Sequence, residues 1–230
     1  MRGGRSAWSS SPASSTWSGD TANAGPDSSG TGRRGDCPLK RVGLLGGSFN
    51  PAHQGHRYVS LEALKRLQLD EVWWLVTPGN PLKEGSDMAP LQARCRRAEA
   101  VAAHGGIRVT DLERRLGTVH TAETLDALLR RFRDIRFVWL MGADNMVQIP
   151  RWRRWRQVFE RVPVAVFPRP SYSLRAVLGK AALVYARARV AEYRAKDLAG
   201  MRPPAWVFLH FRPHPASATR IRAGQSGGRR

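Results

Sequence analysis

Residues 43–56 read GLLGGSFNPAHQGH, and the fold follows from this stretch. Val42–Leu45 is a short apolar run of β type that stops at Gly46-Gly47. Ser48-Phe49-Asn50-Pro51 make a tight connection, and a helix is expected to begin between His53 and His56. A buried strand, a glycine-rich turn and a helix N-terminus in that order suit a phosphate, because amide N–H groups and the helix dipole converge on it. The two glycines carry no Cβ, so the main chain can approach a ligand closely. Neither G-x-x-x-x-G-K-[ST] nor G-x-G-x-x-G is present. Instead, His53-Gln54-Gly55-His56 sets two imidazoles three residues apart, able to face one way. Gly55 between them leaves room for a phosphate against the backbone. Two histidines could also hold a metal, but no Cys, Asp or Glu nearby completes a ligand set and H-E-x-x-H is absent.

Outward from this loop, near-continuous apolar runs recur at Val72–Val76, Ile107–Thr110, Ile135–Leu140, Val162–Phe167 and Trp206–Phe211. Such runs are expected of strands buried on both faces. Helical patterns lie between them at about 56–68, 90–104, 121–133, 152–161 and 174–198. Alternating strands and helices predict βαβ units, hence an α/β fold with a doubly wound, mostly parallel, Rossmann-like sheet carrying helices on both faces. Ligands of such sheets bind beyond the carboxyl ends of the strands. The residues that follow each strand are therefore the candidates for function.

The chain has 230 residues and a net charge of +20, from 38 Lys plus Arg against 18 Asp plus Glu. That balance excludes an acidic solvating protein and points to anionic partners. Residues 1–41 hold six basic and three acidic residues, so +17 belongs to the remainder. Residues 1–40 are rich in Ser, Gly and Ala without hydrophobic period, and are expected to be a disordered extension. Residues 41–225 are expected to form one domain and 226–230 a disordered tail. Cys37 and Cys95 are too few for a disulfide scaffold or a zinc site. No run reaches the 18 or so apolar residues of a membrane span, so a cytoplasmic protein without membrane partners is expected. Arg151-Trp152-Arg153-Arg154-Trp155-Arg156 interleaves basic and aromatic residues as single-strand binders do, yet no nucleic-acid-binding fold accompanies it and no nucleic acid is expected.

Gly46-Gly47-Ser48-Phe49-Asn50-Pro51-Ala52-His53-Gln54-Gly55-His56 resembles the first motif of the H-x-G-H nucleotidyltransferases. It is most similar to that of bacterial nicotinate-nucleotide adenylyltransferases, GG[ST]F[DN]PxHxGH. Further segments carry the resemblance across about residues 40–224. Ser217-Ala218-Thr219-Arg220-Ile221-Arg222 is similar to the family's [IL]-S-[SA]-T-x-[IL]-R, with Ala216 where a branched residue is usual. Gly142-Ala143-Asp144 with Trp152 is similar to its G-x-D…W stretch. Gly117-Thr118-Val119-His120-Thr121-Ala122-Glu123-Thr124-Leu125 resembles G-x-S-Y-T-x-x-T-L, with His120 for Tyr and Val119 for Ser. Arg169-Pro170 matches an R-P element, and Asn80-Pro81-Leu82-Lys83 resembles a loop over the triphosphate.

The resemblance implies transfer of AMP from ATP to nicotinate mononucleotide, giving deamido-NAD and pyrophosphate by direct in-line attack. It implies His53, His56 and Arg222 as catalytic groups. Gly46, Gly47, Ser48, Phe49, Asn50, Gly55, Lys83, Ser217 and Thr219 would join them in binding ATP. Thr121, Gly142, Asp144, Trp152 and Arg169 would hold the mononucleotide, with Asp144 on ribose hydroxyls and Trp152 stacked on the pyridine ring. Mg2+ would be bound through the ATP phosphates, with no metal site on the protein. Nicotinamide mononucleotide and phosphopantetheine remain open as alternative acceptors, as does a monomer or a homo-oligomer.

Overall fold

The computed structural model describes residues 39–79 and 88–214. Seven strands form one sheet in the order β3-β2-β1-β4-β5-β7-β6, and every neighbouring pair is parallel. The strands are β1 (Lys40–Gly47), β2 (Glu71–Val76), β3 (Ile107–Thr110), β4 (Ile135–Gly142), β5 (Val164–Phe167), β6 (Arg189–Val190) and β7 (Trp206–Phe208). The helices are α1 (Gln54–Leu67), α2 (Leu91–Ala102), α3 (Leu112–Leu116), α4 (Thr121–Arg131), α5 (Ala143–Gln148), α6 (Trp155–Arg161), α7 (Ser173–Val177) and α8 (Lys180–Val184). The predicted doubly wound α/β sheet is the observed one. The expected extension lies outside the described residues except for Leu39 and Lys40, and Lys40 already pairs with Ile135 in the sheet.

Successive residues of a strand point to opposite faces, so each central strand feeds two cores. Val42, Leu44, Trp73, Leu75, Phe137 and Trp139 enter one, shared with α4, α5, α6 and α8. Leu45, Val72, Trp74, Val76, Val138 and Leu140 enter the other, shared with α1 and α2. The order reverses at β1: β2 and β3 lie to one side, β4 and β5 to the other. This is the topological switch point, and a crevice opens there beyond the strand ends.

The helix expected over 174–198 is not one helix. Gly179 ends it, standing in extended conformation (φ −79°, ψ 165°) as the cap of α8. Arg189–Val190 then pairs with β7, and Glu192–Gly200 winds as a 3₁₀ segment. The apolar residues of this stretch do not all face inward: Leu174, Leu178 and Leu183 are 71%, 64% and 66% exposed. Small Ala176, Ala181 and Ala182 do the packing instead. The helix expected from 152 begins only at Trp155, because Arg154 adopts the left-handed region (φ 52°).

Candidate active site

Six residues join β1 to α1, and the last of them, His53, bonds the first turn of the helix. His53 caps α1 and its Nδ1 accepts the Gly55 N–H at 3.1 Å, while His56 Nδ1 accepts the His53 N–H at 3.2 Å. The pair is a capping box written in histidine, the role more often played by Ser or Thr with Glu. The Gly55 amide is committed to the cap, so what Gly55 offers a phosphate is the space its missing side chain leaves. The capping fixes the proton positions. An Nδ1 that accepts leaves a neutral imidazole with its proton on Nε2, so each ring offers an Nε2–H donor away from the main chain.

A column of rings supports the two imidazoles. His53 and His56 lie 3.9 Å apart between centroids, His56 and Phe49 4.8 Å, and Phe49 and Trp74 5.0 Å with planes nearly parallel. Trp74 anchors the column by donating from Nε1 to Ser60 Oγ at 2.7 Å, and Ser60 donates to the His56 carbonyl at 2.9 Å. Phe49 is thus a buried strut under the histidines, held at a positive φ of 46°. Burial lowers the His53 pKa to about 4, helped by Arg169 and then His214. Burial, then His53 and Arg169, hold His56 well below its usual value. Both rings are neutral donors at pH 7 until an anion arrives.

Strands β4 and β5 bring the next residues to the same crevice. Gly142 ends β4, Asp144 lies in the first turn of α5, and Arg169 follows β5. Arg169 Nε lies 3.7 Å from Asp144 Oδ1, an oxygen that is buried and accepts no hydrogen bond. A Cβ on Gly142 would overlap that oxygen and crowd Arg169, so Gly142 is required for the pair to close.

Beside the loop lies a cavity of about 320 Å³, lined by Gly46, Gly47, Ser48, Thr121, Trp152 and others. Thr121 is the first residue of α4, and the cap is His120. His120 makes no side-chain cap bond, so no side chain of its own cap occupies the first-turn amides of α4. Thr118 Oγ1 pairs with Thr124 Oγ1 at 2.8 Å and braces the turn. Trp152 and Trp155 do not share a helix face. Trp152 stands in extended backbone and lines the cavity, whereas Trp155 is buried against Phe159 and Tyr185. Gly46 has a reason beyond ligand approach: a Cβ there would sit 2.6 Å from Trp139 Cη2. Asn50 lies in the turn before Pro51 and does not line the cavity.

Several functional candidates escaped sequence reasoning. Arg151 and Arg153 line the cavity beside Trp152, so part of the basic-aromatic run belongs to this cleft. Glu113 is 5% exposed in the cavity wall. Burial raises its pKa to about 7, against the pull of a hydrogen bond with Thr77. Thr77 Oγ1 also lies 2.6 Å from the Gly79 carbonyl, to which it donates. Lys83, Ser217, Thr219 and Arg222 lie outside the described residues.

Residues 44–224 match the model of the cytidylyltransferase-like family. A probable nicotinate-nucleotide adenylyltransferase of Cereibacter sphaeroides is 56% identical over 182 residues, 79% of this chain and 96% of its own. The chain belongs to the nicotinate-nucleotide adenylyltransferase family. A second probable member, from a Bradyrhizobium species, is 52% identical over 79% of this chain and 95% of its own. The fold of this adenylyltransferase is also that of the solved Plasmodium falciparum nicotinic acid mononucleotide adenylyltransferase complexed with NaAD. That match has a TM-score of 0.60 at 14% identity, covering 80% of this chain and 83% of that one.

Proposed function

We propose that the chain transfers the adenylyl group of ATP to nicotinate mononucleotide, releasing pyrophosphate and forming deamido-NAD for NAD biosynthesis, with the work divided between the two ends of one cleft. The observation that carries this reading is the capped, neutral pair His53 and His56 at the end of β1, with Arg169 acting on both rings, beside a cavity lined by Gly46, Gly47 and Trp152. The attacking group is the phosphate monoester of the mononucleotide, which is largely dianionic near pH 7. It needs no general base. The protein has to bring two repelling anions into line and stabilise the charge that builds on the α-phosphate and the leaving group.

His53 and His56 donate to ATP phosphate oxygens, and bound phosphate raises the affinity of both rings for a proton. Gly46, Gly47, Ser48, Phe49 and Asn50 shape the loop against the nucleotide. Lys83, Ser217, Thr219 and Arg222 complete the triphosphate side. Asp144, whose Oδ1 accepts no hydrogen bond, accepts ribose hydroxyls, and Gly142 gives it room. Arg169 neutralises the mononucleotide phosphate. Trp152 stacks on the pyridine ring and the α4 amides at Thr121 receive its carboxylate. The donor set fits a magnesium ion carried by ATP, because the imidazoles and amides of the loop address phosphate oxygens rather than the metal. A magnesium ion carried by ATP would supply charge neutralisation to the leaving pyrophosphate. The reaction belongs in the cytoplasm, where ATP and the mononucleotide meet.

The test is pyrophosphate release from ATP and Mg2+ with nicotinate mononucleotide, nicotinamide mononucleotide or phosphopantetheine as acceptor. Release that is fastest with the first, with deamido-NAD as product, is expected. Release only with phosphopantetheine would overturn the reading.

A further inference from the structure

Arg94 stands in the first turn of α2 with 1% of its surface exposed. Its guanidinium donates four hydrogen bonds, and all four acceptors are main-chain carbonyls. Nε reaches Ala89 at 2.8 Å, Nη1 reaches Ser48 at 2.7 Å and Thr77 at 2.8 Å, and Nη2 reaches Pro78 at 3.2 Å. One planar fork therefore ties together three segments: the loop after β1, the loop after β2, and the residue that leads into α2. A lysine ammonium is a compact point charge and could not span this set.

Ser48, Thr77 and Gly79 line the cavity, and Arg94 stands behind that wall. None of its four acceptors is a carboxylate, so carbonyl dipoles solvate the cation without cancelling its charge. The carbonyls also have a consequence on their far side. In a trans peptide the C=O and the following N–H point in opposite directions. With the Ser48 and Pro78 carbonyls drawn to Arg94, the N–H groups of Phe49 and Gly79 are turned away from it, toward the cleft. Thr77 N donates to the Gly47 carbonyl at 3.0 Å, which locks the two loops side by side.

We propose that Arg94 is a positioning residue for the ATP phosphates, turning the Phe49 and Gly79 amides into the cleft and holding an uncancelled positive charge behind them. This rests on the adenylyl-transfer reading and deepens it. The fork acts through the loops and touches no substrate atom. Its acceptors lie in the loops after β1 and β2, so it acts on ATP more than on the mononucleotide, whose ring end is built on α4 and Trp152.

The experiment compares Arg94→Lys and Arg94→Gln with the unaltered chain, varying each substrate at saturation of the other. Arg94→Lys keeps the charge and loses the fork. It is expected to raise KM for ATP about tenfold while KM for nicotinate mononucleotide stays within about twofold. Arg94→Gln loses both and is expected to lower kcat by a further factor of about 10–100, the scale of losing preorganised charge. In the unaltered chain, the amide resonances of Phe49 and Gly79 are expected to shift on adding an ATP analogue with a non-cleavable α,β bridge. If neither resonance shifts, the proposal fails whether or not the variants fold. An Arg94→Lys enzyme that melts earlier but keeps both KM values would also overturn it, as would one in which both KM values rise together. Absence of pyrophosphate release in the unaltered enzyme would instead sink the adenylyl-transfer reading itself.

Discussion

At the loop end of the cleft, Ser48 to His56 is one contiguous stretch whose donors and acceptors bond mainly through the main chain. The opposite end is assembled from Glu113, Thr121, Trp139, Asn145, Gln148 and Trp152, from segments that only the sheet brings together. The loop end is rigid by construction. Its imidazoles are capped, stacked and stripped of charge before substrate arrives, which suits donors that must not reorganise during the reaction. The ring end is shaped by side chains, so single residues there can set which acceptor fits.

The largest effect is expected at the loop end. His56→Ala should cut turnover by a factor of about 100–1000, the loss of one preorganised donor, with the fold retained by circular dichroism. Near-normal turnover would show that the loop end merely caps α1.

Glu113 tests the other end through pH. Its carboxyl is pushed up from 4.5 to about 7, so the folded chain keeps a proton that the unfolded chain has released between those values. Stability present at pH 4.5 is therefore lost as pH rises toward 7. At about 1.4 kcal/mol per unit the loss reaches up to about 3 kcal/mol. Glu113→Gln stays neutral and should gain that amount relative to the parent between pH 5 and pH 8 in urea unfolding. Parallel pH profiles would remove Glu113 from this role.

The glycines separate the ends more finely. Gly46→Ala places a Cβ 2.6 Å from Trp139, whereas the nearest atom to a Cβ on Gly47 is 3.5 Å away. Overpacking on that scale costs about 1–3 kcal/mol, so Gly46→Ala should lower Tm by several degrees and Gly47→Ala should not. Equal Tm values would mean that Trp139 yields without cost. The smallest effect is expected from Trp152→Ala: a rise of about tenfold in KM for the mononucleotide, the scale of one lost ring stack, with KM for ATP unmoved.

The same contrast explains what the sequence discloses. The loop end is legible because it is contiguous: a buried strand, two glycines and H-x-G-H suffice to predict the crevice and the facing imidazoles. The capping box was not legible, since histidine seldom caps. Arg94 is one arginine among many, and its pattern on α2 is that of a solvated basic face. Only the packing of three loops around it distinguishes it. Glu113 sits in an arginine-rich run that reads as surface, and burial alone gives it a raised pKa. The stretch 173–200 misled because Leu174, Leu178 and Leu183 face outward while Ala176, Ala181 and Ala182 pack, so apolar spacing did not report burial.

The central claim is that the two ends act on different substrates. A double-mutant cycle on kcat/KM with His56→Ala, Trp152→Ala and the combined variant tests it most directly. Independent ends predict that the combined loss equals the product of the single losses, to within about 0.5 kcal/mol. A combined loss no greater than that of His56→Ala alone would contradict the claim and make the cleft a single unit.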